Sequence, residues 1–469
     1  MARVVVVGGG IAGLAAAHRL AAREDGTEVV LLEADDRVGG KLRHAEVAGV
    51  TVDVGAEAML ARRPEGVDLA RAVGLDVVHP ALASSRIWTR GALRPLPRSL
   101  MGVPLDLEQL EAAGILTPDE LARVRAEATL GAEAVETGED ITVGDLVDRR
   151  LGPAVTDLLV EPLLGGVYAG HARLLSARAA VPQLLAFAAR GSLLEQAAAI
   201  PTTYDRPVFA GLEGGMALLP AALQADLVAR GVRVVTGTAA RTLHHDAGGG
   251  FVVGTDAGTE PADAVVVALP PAAAGRLLEA VAPTVARELA AVVTASVAVV
   301  TFAFDADDVG AAGLEGSGFL VPPVEERRIK ASTFSYAKWD WVGAAGAAAP
   351  VGPVALLRTS LGRAGDGALE RDDASLVADS RHDLAAAVGL RAEPRGVHVQ
   401  RWPDGLPQYG LGHLDRVRRI RSGLARVPGL AVAGAAYDGV GVPAVIGSSY
   451  TAVESVAPVL DNGAHERRG

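Results

Sequence analysis

Cysteine is absent from this chain of 469 residues. That absence excludes disulfides, Cys-ligated zinc, iron–sulfur clusters, thiolate nucleophiles and thioether-linked cofactors together. Aromatic residues make up only 4%, so the apolar half of the chain is mostly Ala, Val and Leu. Lysine is almost missing: Lys41, Lys330 and Lys338 are the only ones, and Arg carries the rest of the positive charge. Positive charge is in deficit overall, 44 Lys and Arg against 56 Asp and Glu for a net charge of −12. This argues against a nucleic-acid partner, because affinity for phosphate backbones rests on Lys and Arg. Long apolar runs are lacking too. Residues 289–304 are charge-free but shorter than the ~18 a spanning helix needs, and 341–357 are broken by Pro350, Gly352 and Pro353. No transmembrane segment is expected, and peripheral contact with a membrane is left open. The N-terminal apolar run is interrupted by a glycine triplet and does not read as a secretory leader. No Gly-x-Ser-x-Gly elbow or Gly-Lys-Ser/Thr phosphate loop occurs, and no His or carboxylate set has metal-ligand spacing. No metal is expected.

Glycine is in excess, at 56 residues of 469, well above the ~7% usual in globular chains. Its first cluster is informative. Residues 3–7, Arg-Val-Val-Val-Val, suit a strand buried on both faces of a parallel sheet. They run into Gly8-Gly9-Gly10-Ile11-Ala12-Gly13, then into the helix-forming Leu14-Ala15-Ala16-Ala17-His18-Arg19-Leu20. A second apolar strand, 28–32, ends in Glu33, twenty residues beyond Gly13. This is the length and order of a dinucleotide-binding fingerprint. Gly8 allows the tight turn, Gly10 lets a pyrophosphate reach the backbone, and Gly13 lets helix and strand pack closely. The helix N-terminus offers free N–H donors to phosphates. Glu33 is placed to bind ribose hydroxyls and disfavours a 2′-phosphate. A second glycine pair, Gly39-Gly40, flanked by Arg37 and Lys41, favours the longer FAD over a nicotinamide, and Gly55 adds a further turn.

The pattern VVVVGGGIAGLAAAHRL…VVLLEADDRVGGKLR…DVGAEAML resembles the FAD-dependent amine oxidase and porphyrinogen oxidase superfamily. The resemblance extends over nearly the whole chain. WPDGLPQYGLGH and AGAAYDGVGVPAVI near the C-terminus are closer to the porphyrinogen oxidases than to the amine oxidases, whose paired aromatic cage has no counterpart here. Residues 84–97 read as a hairpin ending in a Pro-rich loop, and Tyr168-Ala169-Gly170 as a turn between helices; both resemble stretches that line the family's tetrapyrrole pocket.

By this resemblance the fold class is α/β: a discontinuous Rossmann-type FAD-binding domain (1–60, 205–290 and 400–469), a mixed-sheet substrate-binding domain (61–100 and 291–399) and an inserted helical domain (101–204). Cofactor positions carried over are Gly8, Gly10, Ile11, Ala12, Gly13, Glu33, Ala34, Arg37, Gly40, Lys41, Gly55, Ala56, Glu57, Ala58, Val235, Trp402, Gly434, Val440, Gly441 and Val442, with Val235 beside the adenine. Arg86 would pair with a substrate propionate, and the Gly170 backbone would face the macrocycle. The implied activity is an oxygen-dependent FAD oxidase of heme biosynthesis, converting a porphyrinogen to a porphyrin by hydride transfers to flavin N5, with peroxide as by-product. Coproporphyrinogen III is favoured as substrate; protoporphyrinogen IX is the alternative, and more distantly an amine oxidase or carotenoid desaturase activity. FAD is expected to be non-covalent, since a cysteinyl link is excluded. A cytoplasmic location and contact with other heme-pathway enzymes are further expectations. No residue stands out as a general base.

Expected elements elsewhere are helices through 105–200 with capping signals at Thr117 and Thr142, and a helix over 218–230. Strands are expected over 291–304, 330–336 and 353–359. His244-His245 reads as part of a solvated polar turn.

Overall fold

The computed structural model describes residues 2–81, 85–132, 139–200 and 207–466, the last five of these by backbone alone. Ser84, at the start of the expected hairpin, and residues 205–206 of the second flavin segment lie outside the described residues.

The apolar, β-branched runs form one parallel five-stranded sheet in the order Arg233–Val235, Glu28–Leu32, Arg3–Val7, Ala264–Val267, Leu430–Val432. Its middle strands are buried on both faces, which is why they read as unbroken Val and Leu rather than alternating. Three stretches far apart in the chain thus supply one sheet. Helices Ile11–Ala21 and Leu218–Ala229 and the C-terminal helix Val442–Glu466 pack on one side, in a common core with Val4, Val6 and Leu31. Val5, Val7 and Val30 face the other side, against Leu277, Val285 and Val417.

A second, seven-stranded sheet runs Gly396–Pro407, Thr294–Asp305, Val354–Leu361, Ile329–Thr333, Gly318–Leu320, Arg86–Thr89, Ala92–Pro95. It is mixed, because Gly318–Leu320 and Arg86–Thr89 run parallel while the other pairs are antiparallel. Its first strand stays in this sheet to Pro407, seven residues past the point where the sequence hands the chain back to the flavin domain. The expected strand 330–336 stops at Thr333, and Ser335–Lys338 turn helically. The cause is a shared partner: a spacing of three on a helical turn puts Ser335 and Lys338 on one face, where both reach Glu57. His244 and His245 end the strand Ala240–His245 rather than occupying a turn; both are exposed, and His245 packs its ring on Phe251. The turn itself is organised by Asp246, whose carboxylate accepts from Gly248 and Gly250 N–H.

Between the sheets, residues 107–198 are mostly helical. Thr117 makes the expected capping box with Glu120, and Thr142 accepts from Asp145 N–H at 2.9 Å. Gly165 and Gly166 lie inside the helix Glu161–Tyr168, which ends at the Tyr168–Gly170 turn. The block's core holds a fully enclosed carboxylate, Glu127, which accepts from Arg150 Nε and Nη2, from Ser192 Oγ and from the N–H groups of Leu193 and Leu194. One side chain therefore pins three segments. Removing it strands the Arg150 guanidinium in the core, so Glu127→Ala is expected to cost about 3–5 kcal/mol. Urea unfolding followed by far-ultraviolet circular dichroism measures it, and a loss under about 1 kcal/mol would contradict the assignment.

Candidate functional site

The first glycine turn is built by close approach. Gly8, at φ +107°, donates to Leu32 O at 2.8 Å. A Cβ on Gly13 would collide with the Gly8 carbonyl, and one on Gly8 with the Ala268 carbonyl. Gly10 is the opposite case: a Cβ there would meet nothing within 4 Å, so the turn is open where an anion would approach. Gly10 begins the helix Ile11–Ala21, which has no side-chain cap and no acid in its first turn. Its positive end therefore remains for a ligand. Ile11 is partly buried and Ala12 buried in the core below.

The second turn lies against the first. Gly39 N–H donates to Gly9 O at 2.8 Å, and Gly40 sits over Gly10. Glu33 closes the ring. Its carboxylate accepts from Gly9 N–H at 2.6 Å and Asp35 N–H at 2.8 Å, and its main chain bonds Val235 O and Thr238 N–H. The acid expected to meet ribose thus also holds the glycine turn in place, leaving further lone pairs on each oxygen. Ala34 is exposed beside it. Arg37 spends its guanidinium on Val38 O and Gly40 O, with Nε buried and unbonded, and burial lowers its pKa. It stiffens the second turn from behind.

Lys41 keeps accessible surface, yet enough protein surrounds its ammonium that desolvation lowers its pKa. Its ammonium donates to Gly405 O, which ties the second turn to the strand Gly396–Pro407. Ala56 N–H bonds Lys41 O at 3.2 Å, and a Cβ on Gly55 would collide with the same carbonyl. The Trp402 ring lies 3.3 Å from the position of that Cβ, and its Nε1 faces Val54 O at 3.4 Å. Positions 10, 39–41, 55–56, 402 and 405 thus form one continuous line of contacts. Ala58 lies next to Val47 and Trp339 in the core beneath.

Glu57 is fully enclosed. Lys338 Nζ lies 2.6 Å from one oxygen, and Arg358 Nε and Ser335 Oγ lie 3.2 Å from the other. Arg358 also donates to Gly55 O at 2.7 Å. Burial alone would raise its pKa, but Arg358 and Lys338 outweigh that and hold it down at about 2. The carboxylate is thus committed to fastening the cofactor-side segment onto the seven-stranded sheet, and what remains for a ligand at 57 is backbone.

At the C-terminal end, Gly434, φ +134°, has open space at its Cβ position and donates to Ser448 Oγ. Val440 and Gly441 follow with accessible surface, and Val442, in the same core as Ala12 and Val38, opens the long helix. The Tyr168–Gly170 turn is fixed nearby. Ala169 is left-handed at φ +49°, and its carbonyl accepts from Ala364 N–H at 2.7 Å. Gly170 is buried, and the place of its missing Cβ is filled by the Gln408 amide. Behind this turn stand three buried ionisable groups. Arg363 donates to Val321 O, Lys330 donates to Gly362 O with its pKa lowered by burial to about 7, and Glu161 has one oxygen on Ala172 N–H.

Arg86 is not joined to these positions by any described contact. It starts an outer strand of the seven-stranded sheet, partly exposed, and pairs with the exposed Glu315. A substrate carboxylate at Arg86 would have to displace Glu315. Several residues of the site carry no glycine or motif signal: Arg358, Ser335 and Arg363 become visible only when the two sheets meet. Lys330 and Lys338 did carry one, as two of three lysines in an arginine-rich chain.

Residues 11–457 match the family model described as flavin containing amine oxidoreductase. A coproporphyrinogen III oxidase of Mycobacterium tuberculosis is 39% identical over 466 residues, 97% of either chain. One of Bacillus subtilis is 30% identical over 475 residues, covering 97% of this chain and 98% of the other. Among solved structures, an Exiguobacterium protein provisionally assigned as a protoporphyrinogen oxidase matches with a TM-score of 0.86. It is 34% identical, over 98% of this chain and 99% of that one. The open turn at Gly10, the free helix end and the acid at Glu33 fit the flavin dinucleotide that such a family uses.

The Glu57 cluster makes a pH prediction. Its folded pKa of about 2 lies below the ordinary carboxylate value of 4.5, so the stabilisation is present above pH ~4.5 and lost as pH falls toward ~2, about 3 kcal/mol in all. Glu57→Gln is expected to lower stability at pH 7 and to flatten this acid limb. Urea midpoints measured from pH 6 to pH 2.5 test it, and parallel curves for wild type and variant would refute it.

Proposed function

The chain belongs to the flavin containing amine oxidoreductase family and is an FAD-dependent oxidoreductase; from that premise we propose that it oxidises coproporphyrinogen III to coproporphyrin III in heme biosynthesis. The observation that supports this best is the extent of the likeness to coproporphyrinogen III oxidases, 97% of both chains. The fold as a whole is shared across the family, so what bears on the substrate is identity held at 39% over that full length, through the helical block and the seven-stranded sheet.

In this reading the dinucleotide lies along the line of contacts already described. Gly8, Gly10 and Gly13 with the first helix end receive the pyrophosphate, and Glu33 the ribose; Val235 lies by the adenine. Gly40, Lys41, Gly55, Ala56 and Trp402 flank the cofactor further along, with Gly434, Val440, Gly441 and Val442 at the ring. When bound, the flavin supplies a hydride acceptor. The protein's part is orientation, exclusion of water and electrostatics. Oxygen is the terminal acceptor, and FAD is held non-covalently in this reading, a thioether link being excluded by the lack of cysteine. The chain works in the cytoplasm; among the described residues no helix is long and apolar enough to cross a membrane. The flavin domain comprises 1–60, 205–290 and 400–469, apart from the strand that carries 400–407 in the seven-stranded sheet, the substrate domain 61–100 and 291–399, and the helical domain 101–204.

Arg86 serves as a propionate anchor, because a planar guanidinium can bind both oxygens at once. Its exposed partner Glu315 is replaceable: a surface pair of this kind is worth at most ~1 kcal/mol.

Anaerobic mixing of the purified protein with coproporphyrinogen III is expected to bleach the flavin and produce porphyrin fluorescence. Protoporphyrinogen IX should react more slowly. No bleaching with either would end the proposal, and faster reaction with protoporphyrinogen IX would reassign the substrate. Arg86→Ala should raise KM for coproporphyrinogen III roughly tenfold with kcat little changed; an unchanged KM returns Arg86 to the surface.

A further inference from the structure

The segment from Pro407 to His413 lies outside every role given so far, although its sequence, Pro-Gln-Tyr-Gly-Leu-Gly-His, is part of the most distinctive stretch of the chain. In the structure it touches all three parts of the molecule. Its start ends a strand of the seven-stranded sheet, and Gln408 N–H bonds Val293 O at 2.8 Å. Tyr409 O accepts from Ser176 N–H at 2.7 Å, Leu175 bridges Gly410, and Gly412 N–H donates to Asp140, which tie it to the helical block.

The two side chains in its middle point to different targets. Gln408 Nε2 donates to Tyr168 O at 2.7 Å, and its Oε1 fills the space where Gly170 lacks a Cβ. The amide therefore fixes both ends of the Tyr168–Gly170 turn. Tyr409 OH donates to Ala435 O at 2.6 Å and accepts from Gly439 N–H at 2.9 Å. That one hydroxyl clamps both sides of the loop between Gly434 and Gly441. The Tyr409 ring is buried, tilted against Tyr168 at 5.4 Å and stacked on His413 at 3.9 Å. Burial keeps His413 neutral, with a pKa near 4, so the stack carries no charge at neutral pH.

We propose that Gln408 and Tyr409 are a coupled pair of positioning residues: Gln408 sets the turn that faces the substrate, Tyr409 sets the loop that carries the flavin ring, and the peptide between them fixes the distance from one to the other. This rests on the flavin placement proposed above and on the resemblance by which the Gly170 backbone would face the macrocycle. A hydride transfer depends on donor and acceptor being held at near-contact distance. A single peptide unit with buried, short hydrogen bonds on either side is a stiff way to hold it. Neither residue is catalytic; each acts through backbone that it immobilises.

Tyr409→Phe keeps the ring and removes only the hydroxyl; Gln408→Met keeps the volume and removes the amide. In the holoenzyme, Tyr409→Phe is expected to weaken FAD binding roughly tenfold, shift the visible flavin absorption and lower kcat with KM for coproporphyrinogen III unchanged. Gln408→Met is expected to raise KM with FAD affinity and spectrum as in wild type. The double variant should depart from the product of the single effects on kcat/KM by at least about threefold. Wild-type FAD affinity and spectrum in Tyr409→Phe would overturn the proposal. So would equal losses of Tm in the two variants with KM, kcat and spectrum intact, and so would strictly multiplicative effects. FAD affinity and spectrum are read without substrate. A wild type inert toward porphyrinogens would thus refute the substrate assignment while the Tyr409 arm still tests the clamp.

Discussion

Glu57 is the constraint that fastens the segment carrying Gly55 and Ala56 to the seven-stranded sheet. A carboxylate taken out of water carries a large desolvation penalty, and only close cations and hydrogen bonds offset it. Here Lys338, Arg358 and Ser335 all come from the seven-stranded sheet and its connections, while Glu57 follows the glycine turn at Gly55. None of these groups can be left without its partner once buried. The ion cluster therefore fixes where the segment after Gly55 sits on the seven-stranded sheet. Arg358 shows the consequence directly, since the same guanidinium that meets Glu57 also holds the Gly55 carbonyl. The line of backbone from Lys41 to Ala56 is thus positioned from the far sheet as well as its own.

Glycine supplies the complementary constraint, which is close approach rather than charge. At Gly13 and Gly55 a Cβ would strike a carbonyl, so the helix and the turn sit nearer their neighbours than any other residue allows. At Gly10 and Gly434 the reason differs, because the space is open and the backbone itself is the surface presented. One residue type thus does two opposite jobs, separable only when coordinates show what lies beyond the missing side chain. The same holds for Gly170, whose sequence context suggested a backbone facing substrate. In the structure its Cβ direction belongs to Gln408.

This explains which parts could be read from residues alone. The first strand, turn, helix and acid are local in sequence, and each follows from periodicity, glycine placement and the spacing to Glu33. The helix caps at Thr117 and Thr142 are local too and came out as expected. Lys338 and Arg358 around Glu57, and Gln408 on Tyr168, join positions hundreds of residues apart, and no pattern in one sequence marks such pairs. The misplaced end of the strand at Thr333 has the same origin. Residues 330–336 are compatible with a strand by composition, and the long-range demand of Glu57 for two partners on one face overrides that preference.

The scarcity of lysine acquires a physical meaning at this point. Arginine stays charged at any working pH and is weakly hydrated, so it suits the many paired surface sites. Lysine is a compact, strongly hydrated charge whose pKa falls readily on burial. The three lysines are where such behaviour matters. Lys338 is held by Glu57, Lys41 is crowded by protein with its pKa lowered, and Lys330 lies near the Tyr168–Gly170 turn with its pKa near 7. A surface rich in arginine pairs contributes a field that is constant with pH, while the interior holds the groups whose charge can change. Lys330 sits beside Arg363, which helps depress its pKa, and among the described residues its ammonium finds Gly362 O as hydrogen-bond acceptor. Folding thus disfavours the charged form of Lys330 most below pH ~7, and the cost falls as pH rises from ~7 toward the ordinary lysine value. The pH dependence of stability in this region therefore includes a charge that arginine would have made permanent.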